Sequence, residues 1–224
     1  MIRAVAVIPA YNEEKTISDI VKRTKKYVDK VMVVDNCSTD NTSKECALIR
    51  DVGIYDCKIK GAGAATRMAW KNVAWDGYDA MITLDADGQH NPDDIPMLLT
   101  GLNEADIVIG ARFLDGYSVP PYRKFGIDII TWLYNIGHKP ITDAQSCFRA
   151  YNRNVLDFID IAENGFGFST EVLIKARKQG FKITEVPIDC IYHSDFKQNS
   201  TLNPVHHGLE VAFKTLKWRL KLRD

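Results

Sequence analysis

A single α/β domain built on a mostly parallel sheet is the fold class this sequence predicts, and three observations predict it. Short apolar runs alternate with helical patterns through the first half of the chain. Each junction carries a polar loop. The first run is continuous rather than alternating, as in strands covered on both faces. The 224 residues, 46% hydrophobic and 26% charged, suit one compact domain.

The elements follow in order. Residues 4–8 form the first strand; the run is too short, and acids follow too soon, for a secretion signal. Ile17, Ile20, Val21, Thr24, Tyr27 and Val28 recur at helical spacing, with Lys and Arg opposite. Residues 31–34 form the second strand, and Asp40, Asn41, Thr42 and Ser43 offer caps for a helix running to about Gly53. A third strand around 54–59 leads into GAGAATRMAW, a glycine turn and Ala-rich helix. The fourth, 80–84, stops at DADGQH. Asn91 as N-cap, Pro92 in the first turn and Asp93 and Asp94 at the positive end of the dipole start the next helix.

Residues 106–110 make strand five. An aromatic-rich stretch (117–134), DAQSCFRAY, a helix over 169–179 stopped by Gly180, a strand over 182–187 and a last helix over 204–222 complete the chain. The expected organisation is a nucleotide-binding half (1–111), a second half that closes over it (112–203) and a C-terminal amphipathic helix (204–224).

Composition excludes several classes. With 29 basic and 29 acidic residues there is no global field to concentrate nucleic acid. No window approaches the roughly 18 consecutive apolar residues of a membrane span. Five scattered cysteines without a CxxC pair read as reduced thiols in a cytoplasmic compartment.

In open α/β sheets, ligands bind beyond the carboxyl ends of the strands, so PAYNEE, DNCSTDNT, KGAGA and DADGQH converge on one crevice. Asp85 and Asp87, at i and i+2 after an apolar strand, project to the same side. Two carboxylates about 4 Å apart repel by about 4 kcal/mol at an effective dielectric near 20. A divalent cation removes that cost, and Mg²⁺ is typically held by one or two carboxylates together with substrate phosphates. Asp85, Asp87 and Gln89 are therefore the candidate ligands; a solvated acidic turn is the competing reading.

Asp35 is placed to pair with a base or sugar, or to cap its own turn. Pro9 and Tyr11 form a flat wall beside Glu13, whose segment equally suits a helix start. GAGAAT lacks the third glycine of a dinucleotide fingerprint and follows the wrong strand, which argues against NAD. Gly63 there allows close backbone approach to a nucleotide with Arg67 one turn further in, or simply a tight turn with a surface Arg. Arg112, Arg123, Lys124 and Arg149 are the basic residues nearest the loop edges that could meet a diphosphate. The five histidines share no metal-binding spacing.

Together VIPAYNEE, VDNCSTDNT, KGAGAA and LDADGQHNPDD, in this order and spacing, resemble the family 2 glycosyltransferases of GT-A fold, over roughly residues 4–151. DADGQ and DAQSCFRAY most resemble the dolichyl-phosphate mannose or glucose synthase branch, which transfers a sugar from GDP-mannose or UDP-glucose to a polyprenyl phosphate. The resemblance implies that Pro9, Tyr11, Glu13 and Asp35 contact the nucleoside. By the same resemblance Asp85, Asp87 and Gln89 hold Mg²⁺ or Mn²⁺, Arg112 and Arg123 neutralise the diphosphate, and Ser146 and Arg149 meet the acceptor phosphate. Cys147 departs from the branch, which usually has Gly there, and the membrane-spanning segments of many members are not seen.

A phosphate acceptor, with its second pKa near about 6, attacks without a base. A hydroxyl acceptor of a glycan or glycolipid needs one, and Asp143 is the candidate. The last helix aligns Val205, Leu209, Ala212, Phe213, Leu216 and Leu220 in one stripe, suited either to packing on its own domain or to lying on an anionic bilayer. The protein is thus expected in the cytoplasm, with peripheral membrane association as the second reading. The rival classes are a sugar nucleotidyltransferase, which usually opens with a glycine-rich loop where this chain has PAYNEE, and a non-catalytic nucleotide-sugar-binding module.

Overall fold

The computed structural model describes residues 2–72, 77–114, 121–191 and 204–221, without the side chains of 121–123 and 204–207. Its strands are β1 (Ala4–Ala10), β2 (Lys30–Asp35), β3 (Val52–Asp56), β4 (Ala80–Thr83), β5 (Ile107–Ala111), β6 (Arg149–Asn152) and β7 (Ile183–Pro187). The helices are α1 (Ile17–Thr24), α2 (Thr42–Ala47), α3 (Ala62–Asn72), α4 (Ile95–Gly101), α5 (Pro121–Asn135), α6 (Arg153–Phe158), α7 (Phe168–Lys178) and α8 (Pro204–Lys221). One sheet in the order β3-β2-β1-β4-β6-β5-β7 runs parallel except for β6, which is antiparallel to both β4 and β5.

The continuous apolar strands are explained by burial on both faces. Val5, Val7, Met32, Val34 and Met81 meet Ala65 and Trp70 of α3 and Val172 and Leu173 of α7 on one side. Ala6, Ile8, Val31, Val33 and Ile82 meet Ile17 and Val21 of α1 and Leu98 of α4 on the other. Each fully buried Val or Ile contributes about 1.5–3 kcal/mol, so a charge at Val7, on a central strand, would disrupt the whole sheet.

Several expectations need correction. The helix expected from Asp40 to about Gly53 ends after Ala47, and Asp51 then takes a φ of 58°. Pairing of Val31 with Val52 through Asp35 with Asp56 moves β3 earlier than the 54–59 predicted. Strand β6 was unforeseen, because DAQSCFRAY read as a motif and the strand has four residues. Its direction matters for the site. Being antiparallel, β6 starts where β4 ends, with Thr83 opposite Arg149, and so delivers loop 143–148 to the carboxyl edge of the sheet. The Thr83 hydroxyl donates to the Cys147 carbonyl at 2.7 Å to fix it there.

The apolar stripe of α8 lies opposite to its packed face. Val211, Thr215 and Trp218 are buried, while Leu209, Phe213, Leu216 and Leu220 are exposed, so this stripe does not pack on the domain. Val205 lies outside the described side chains. No helix among the described residues is long and apolar enough to cross a membrane.

Candidate active site

The loops after β1 and β2 are zipped together by their own polar side chains. The N–H of Asn12 donates to Ser38 Oγ (3.0 Å), that of Glu13 to Thr42 Oγ1 (2.8 Å), and that of Thr39 to Asn12 Oδ1 (2.7 Å). Asn12, at φ 58°, occupies the left-handed region that Asn tolerates better than most residues. Asn36 extends the zipper to the third loop: its Nδ2 donates to the Ile59 carbonyl (2.7 Å) and its Oδ1 accepts from Gly61 N–H (2.6 Å). The polar letters of these motifs thus fix three loops relative to one another.

Asp35 is 8% exposed, and its carboxylate accepts from Ser38 N–H (2.8 Å) and from the Ser43 hydroxyl. It caps its own turn, and it also borders a recess of about 300 Å³ shared with Cys37, Ser38, Ser43, Asp56 and Lys58. The Tyr11 hydroxyl accepts from Lys60 Nζ at 2.9 Å, and the ammonium stands 4.3 Å from the ring centroid. Pro9, paired with Val34, is half-buried at the end of β1.

Beyond β4, the acids gather. Although 43% of the Asp85 side chain faces solvent, burial among protein atoms pushes its carboxyl up to about 6, against the pull of Arg112 and Arg149. Asp87 is likewise raised, by burial first and by Asp85 second. Glu13 is pushed up to about 7 by burial and then by the Asp87 and Asp85 carboxylates, so the first and fourth loops converge. Gln89 donates its backbone N–H to Asp87 Oδ1 at 2.9 Å.

Among the described residues no three His, Cys, Asp or Glu side chains close into a metal cage. A pair of carboxylates with raised pKa values and an open side nonetheless fits a hard cation that takes its remaining oxygens from water and phosphate.

His90 was not singled out by the sequence, yet it organises this corner. Its buried Nδ1 accepts the Asp85 N–H at 3.0 Å, which places the ring proton on Nε2, and the ring stacks on Phe148 with centroids 5.1 Å apart. Burial pushes its pKa down to about 4, so it is a neutral support rather than a charge partner.

Arg112 enters at the end of β5 and is gripped by Asp143: Nε to Oδ2 at 2.7 Å and Nη2 to Oδ1 at 2.9 Å. Asp143 is fully buried, also accepts from the N–H groups of Gln145 and Ser146, and is held below the usual carboxylate range by Arg112 against its own burial. That arrangement suits holding Arg112 and is unsuited to taking a proton from an acceptor. Glu185 of β7, also unforeseen, pins the same loop through the Thr142 and Asp143 N–H groups at 2.8–2.9 Å.

Other residues are turned elsewhere. Arg149 is fully buried and donates to the carbonyls of Ser169 (2.8 Å) and Ala144 (2.9 Å), so its charge acts on Asp85 from beneath the surface. Ser146 is buried as well, its Oγ accepting from Phe148 N–H. Neither side chain opens onto the crevice where a direct contact with an acceptor phosphate would form. Arg67 donates to the Ala162 carbonyl (3.1 Å) and Asn164 Oδ1 (2.7 Å) rather than toward a nucleotide. The side chain of Arg123 lies outside the described residues.

Gly63 is required by the protein's own loop. A Cβ there would stand 2.3 Å from the Glu163 carbonyl oxygen and 2.9 Å from that of Gly165. Gly63→Ala is therefore expected to destabilise the fold by about 1–3 kcal/mol in urea unfolding, and an unchanged midpoint would contradict this close approach.

The chain matches the family model described as Glycosyl transferase family 2 over residues 5–159. It is 31% identical to the undecaprenyl-phosphate mannosyltransferase of Micrococcus luteus, over 98% of this chain and 100% of the relative. It is also 31% identical to the UDP-N-acetylglucosamine–dolichyl-phosphate N-acetylglucosaminyltransferase of Methanococcus voltae, over 83% of this chain and 84% of that one. Among solved structures, glucosyl-3-phosphoglycerate synthase from Mycobacterium tuberculosis, crystallised with Mn²⁺, UDP and phosphoglyceric acid, superposes with a TM-score of 0.75 at 16% identity, covering 98% and 78% of the two chains.

Proposed function

Because this chain belongs to glycosyl transferase family 2, among relatives of its dolichyl- and polyprenyl-phosphate sugar transferase branch, we propose that it moves a hexose from a nucleotide sugar to a polyprenyl phosphate with inversion at the anomeric carbon. The observation that carries this reading is the pairing of a carboxylate corner, Asp85 and Asp87, with an Arg112 fixed by an Asp143 that is itself buried and bonded.

Asp85 and Asp87 would hold Mg²⁺ or Mn²⁺ with Gln89 beside them, and such an ion supplies positive charge where the diphosphate departs. Arg112, oriented in advance by Asp143, adds charge on the same side without reorganising during reaction. Arg123 would share that task. Pro9, Tyr11, Glu13 and Asp35 would border the nucleoside, with Lys60 steering the Tyr11 ring.

The acceptor phosphate oxygen attacks the anomeric carbon as the bond to the diphosphate oxygen breaks. A phosphate monoester, mostly dianionic above about pH 6, needs no base. Arg149 and Ser146 would act on it through loop 143–148 and through charge, not by direct contact in this conformation.

The test is a product assay with undecaprenyl or dolichyl phosphate in detergent and a panel of GDP-mannose, UDP-glucose and UDP-N-acetylglucosamine. One donor is expected to give an acid-labile glycosyl phosphoprenol of inverted anomeric configuration, lost on chelation. Transfer only to sugar hydroxyls, or a retained configuration, would reject the reading.

A further inference from the structure

We infer that His90 is a positioning residue that holds the acidic loop 85–89 and loop 143–148 in register, so that the carboxylate corner and Arg112 behave as one unit. The inference rests on the cation reading of Asp85 and Asp87 proposed above and adds the group that aligns them with the other half of the crevice.

Three parts of His90 serve three neighbours. On the ring, Nδ1 accepts the Asp85 N–H at 3.0 Å. The ring face stacks on Phe148, with the two planes 29° apart. Its backbone bridges to Cys190, and beside it the Ile191 N–H donates to the Gln89 carbonyl at 2.9 Å, which clamps the end of the acidic loop against the segment that follows β7. His90 and Phe148 are both buried, and in a close-packed interior neither ring shifts without displacing the other.

Phe148 carries the connection onward. Its N–H donates to Ser146 Oγ at 3.3 Å, and its carbonyl accepts from the N–H of Gly110, two residues before Arg112, at 2.9 Å. The Ser146 N–H in turn donates to Asp143, whose carboxylate grips the Arg112 guanidinium. From Asp85 the contacts therefore run through His90, Phe148, Ser146 and Asp143 to Arg112, and all four intermediate residues are buried. Opposite charges meant for the two sides of a diphosphate share one support. Metal ligands keep their geometry only when such supports are themselves locked by packing and hydrogen bonds. A neutral histidine meets both demands at this position: phenylalanine would supply the stack without an acceptor, and asparagine an acceptor without the stack.

Hydrogen exchange read by mass spectrometry, together with Mn²⁺ titrations in the presence of UDP or GDP, tests this on three variants. Phe148→Leu and His90→Asn remove the stack; His90→Phe removes the acceptor for Asp85. Without metal, Phe148→Leu should speed exchange in 85–89 as well as in its own loop, His90→Asn should speed it in 143–148, and His90→Phe chiefly in 85–89. In the wild type, Mn²⁺ with nucleotide should slow exchange in both loops; in His90→Asn and Phe148→Leu it should do so only in 85–89. Mn²⁺ affinity should fall about tenfold in His90→Phe and recover to within about twofold of wild type in His90→Asn, the scale on which groups that orient metal ligands act. His90→Asn and Phe148→Leu reach the same link from its two sides, so misfolding of one leaves the other to decide. Changes confined to the loop that carries the substitution, or a uniform loosening of the whole sheet with no rescue by Asn, would overturn the proposal. A wild type that binds no Mn²⁺ with either nucleotide would reject the cation reading, while the metal-free effect of Phe148→Leu on 85–89 would still decide the role of His90.

Discussion

Asp87→Ala is expected to lower kcat/KM for sugar transfer by about 10³-fold, the scale on which single groups that stabilise a departing charge act. The same substitution should remove the stabilisation that Mn²⁺ with a nucleotide sugar gives in thermal melts. The pH dependence of the metal-free protein supplies an independent reading. Glu13 is raised to about 7 from 4.5, and Asp85 to about 6 from 3.8, so the folded state holds protons that the unfolded chain has released. Stability from these groups is complete below about pH 4 and is lost as pH rises through 6 and 7. With chelator present, the wild type should therefore melt at lower temperature at pH 8 than at pH 5.5, and Mn²⁺ should restore most of the loss. Because Asp87 is the second cause of the Glu13 shift, after burial, Asp87→Ala should flatten part of this slope. A variant inactive yet still stabilised by Mn²⁺ as the wild type is would move the metal away from this corner.

How far the sequence could be read follows from where each signal resides. Strands β1, β2 and β4 were legible because each is buried on both faces and therefore spelled out as a nearly unbroken apolar run, whereas β3, half-buried to exposed along its length, was placed two residues late. The carboxylate pair was legible from its place just past an apolar strand, but β4 stops at Thr83, and the loop that follows, rather than strand geometry, sets Asp85, Asp87 and Glu13 near one another. Strand β6 was not, since its place between β4 and β5 is decided by long-range pairing of Arg149 with Thr83 and Ile109 rather than by its four residues. The roles of basic residues were least legible. Arg67, Arg112 and Arg149 look alike in the sequence; one grips loop 161–164, one faces the acids and one is sealed beneath them. What separates them is partners distant in the chain: Asn164, Asp143 and the Ser169 carbonyl. Glu171, buried and accepting from the Ala162 and Glu163 N–H groups, holds the loop against which Gly63 packs, and nothing in its helical spacing announced that. His90 alone had a usable signal, its place directly after DADGQ.

Substitution at Asp143 separates positioning from proton transfer. Asp143→Ala takes from the Arg112 guanidinium, 13% exposed, the carboxylate that grips it through two hydrogen bonds and removes the acceptor for the Gln145 and Ser146 N–H groups. Breaking a buried pair in this way typically costs about 3–5 kcal/mol, a large fraction of the stability of a domain this size, so the variant should unfold early in urea or fail to accumulate. Asp143→Asn is the informative partner, because it keeps the shape and an acceptor oxygen for the loop while discarding the charge. If Asp143 positions Arg112, the Asn variant should remain folded and bind the nucleotide sugar about tenfold more weakly, with a smaller change in kcat, since the donor's diphosphate would meet a less constrained guanidinium. Its rate should also keep the wild-type pH profile between 6 and 8, because Arg112 holds the carboxyl below the usual range and it is already ionised throughout. A base acting on a hydroxyl acceptor behaves in the opposite way. The Asn variant would then bind donor normally, melt normally and lose kcat by orders of magnitude, and that combination would return Asp143 to the chemistry and exchange the phosphate acceptor for an alcohol.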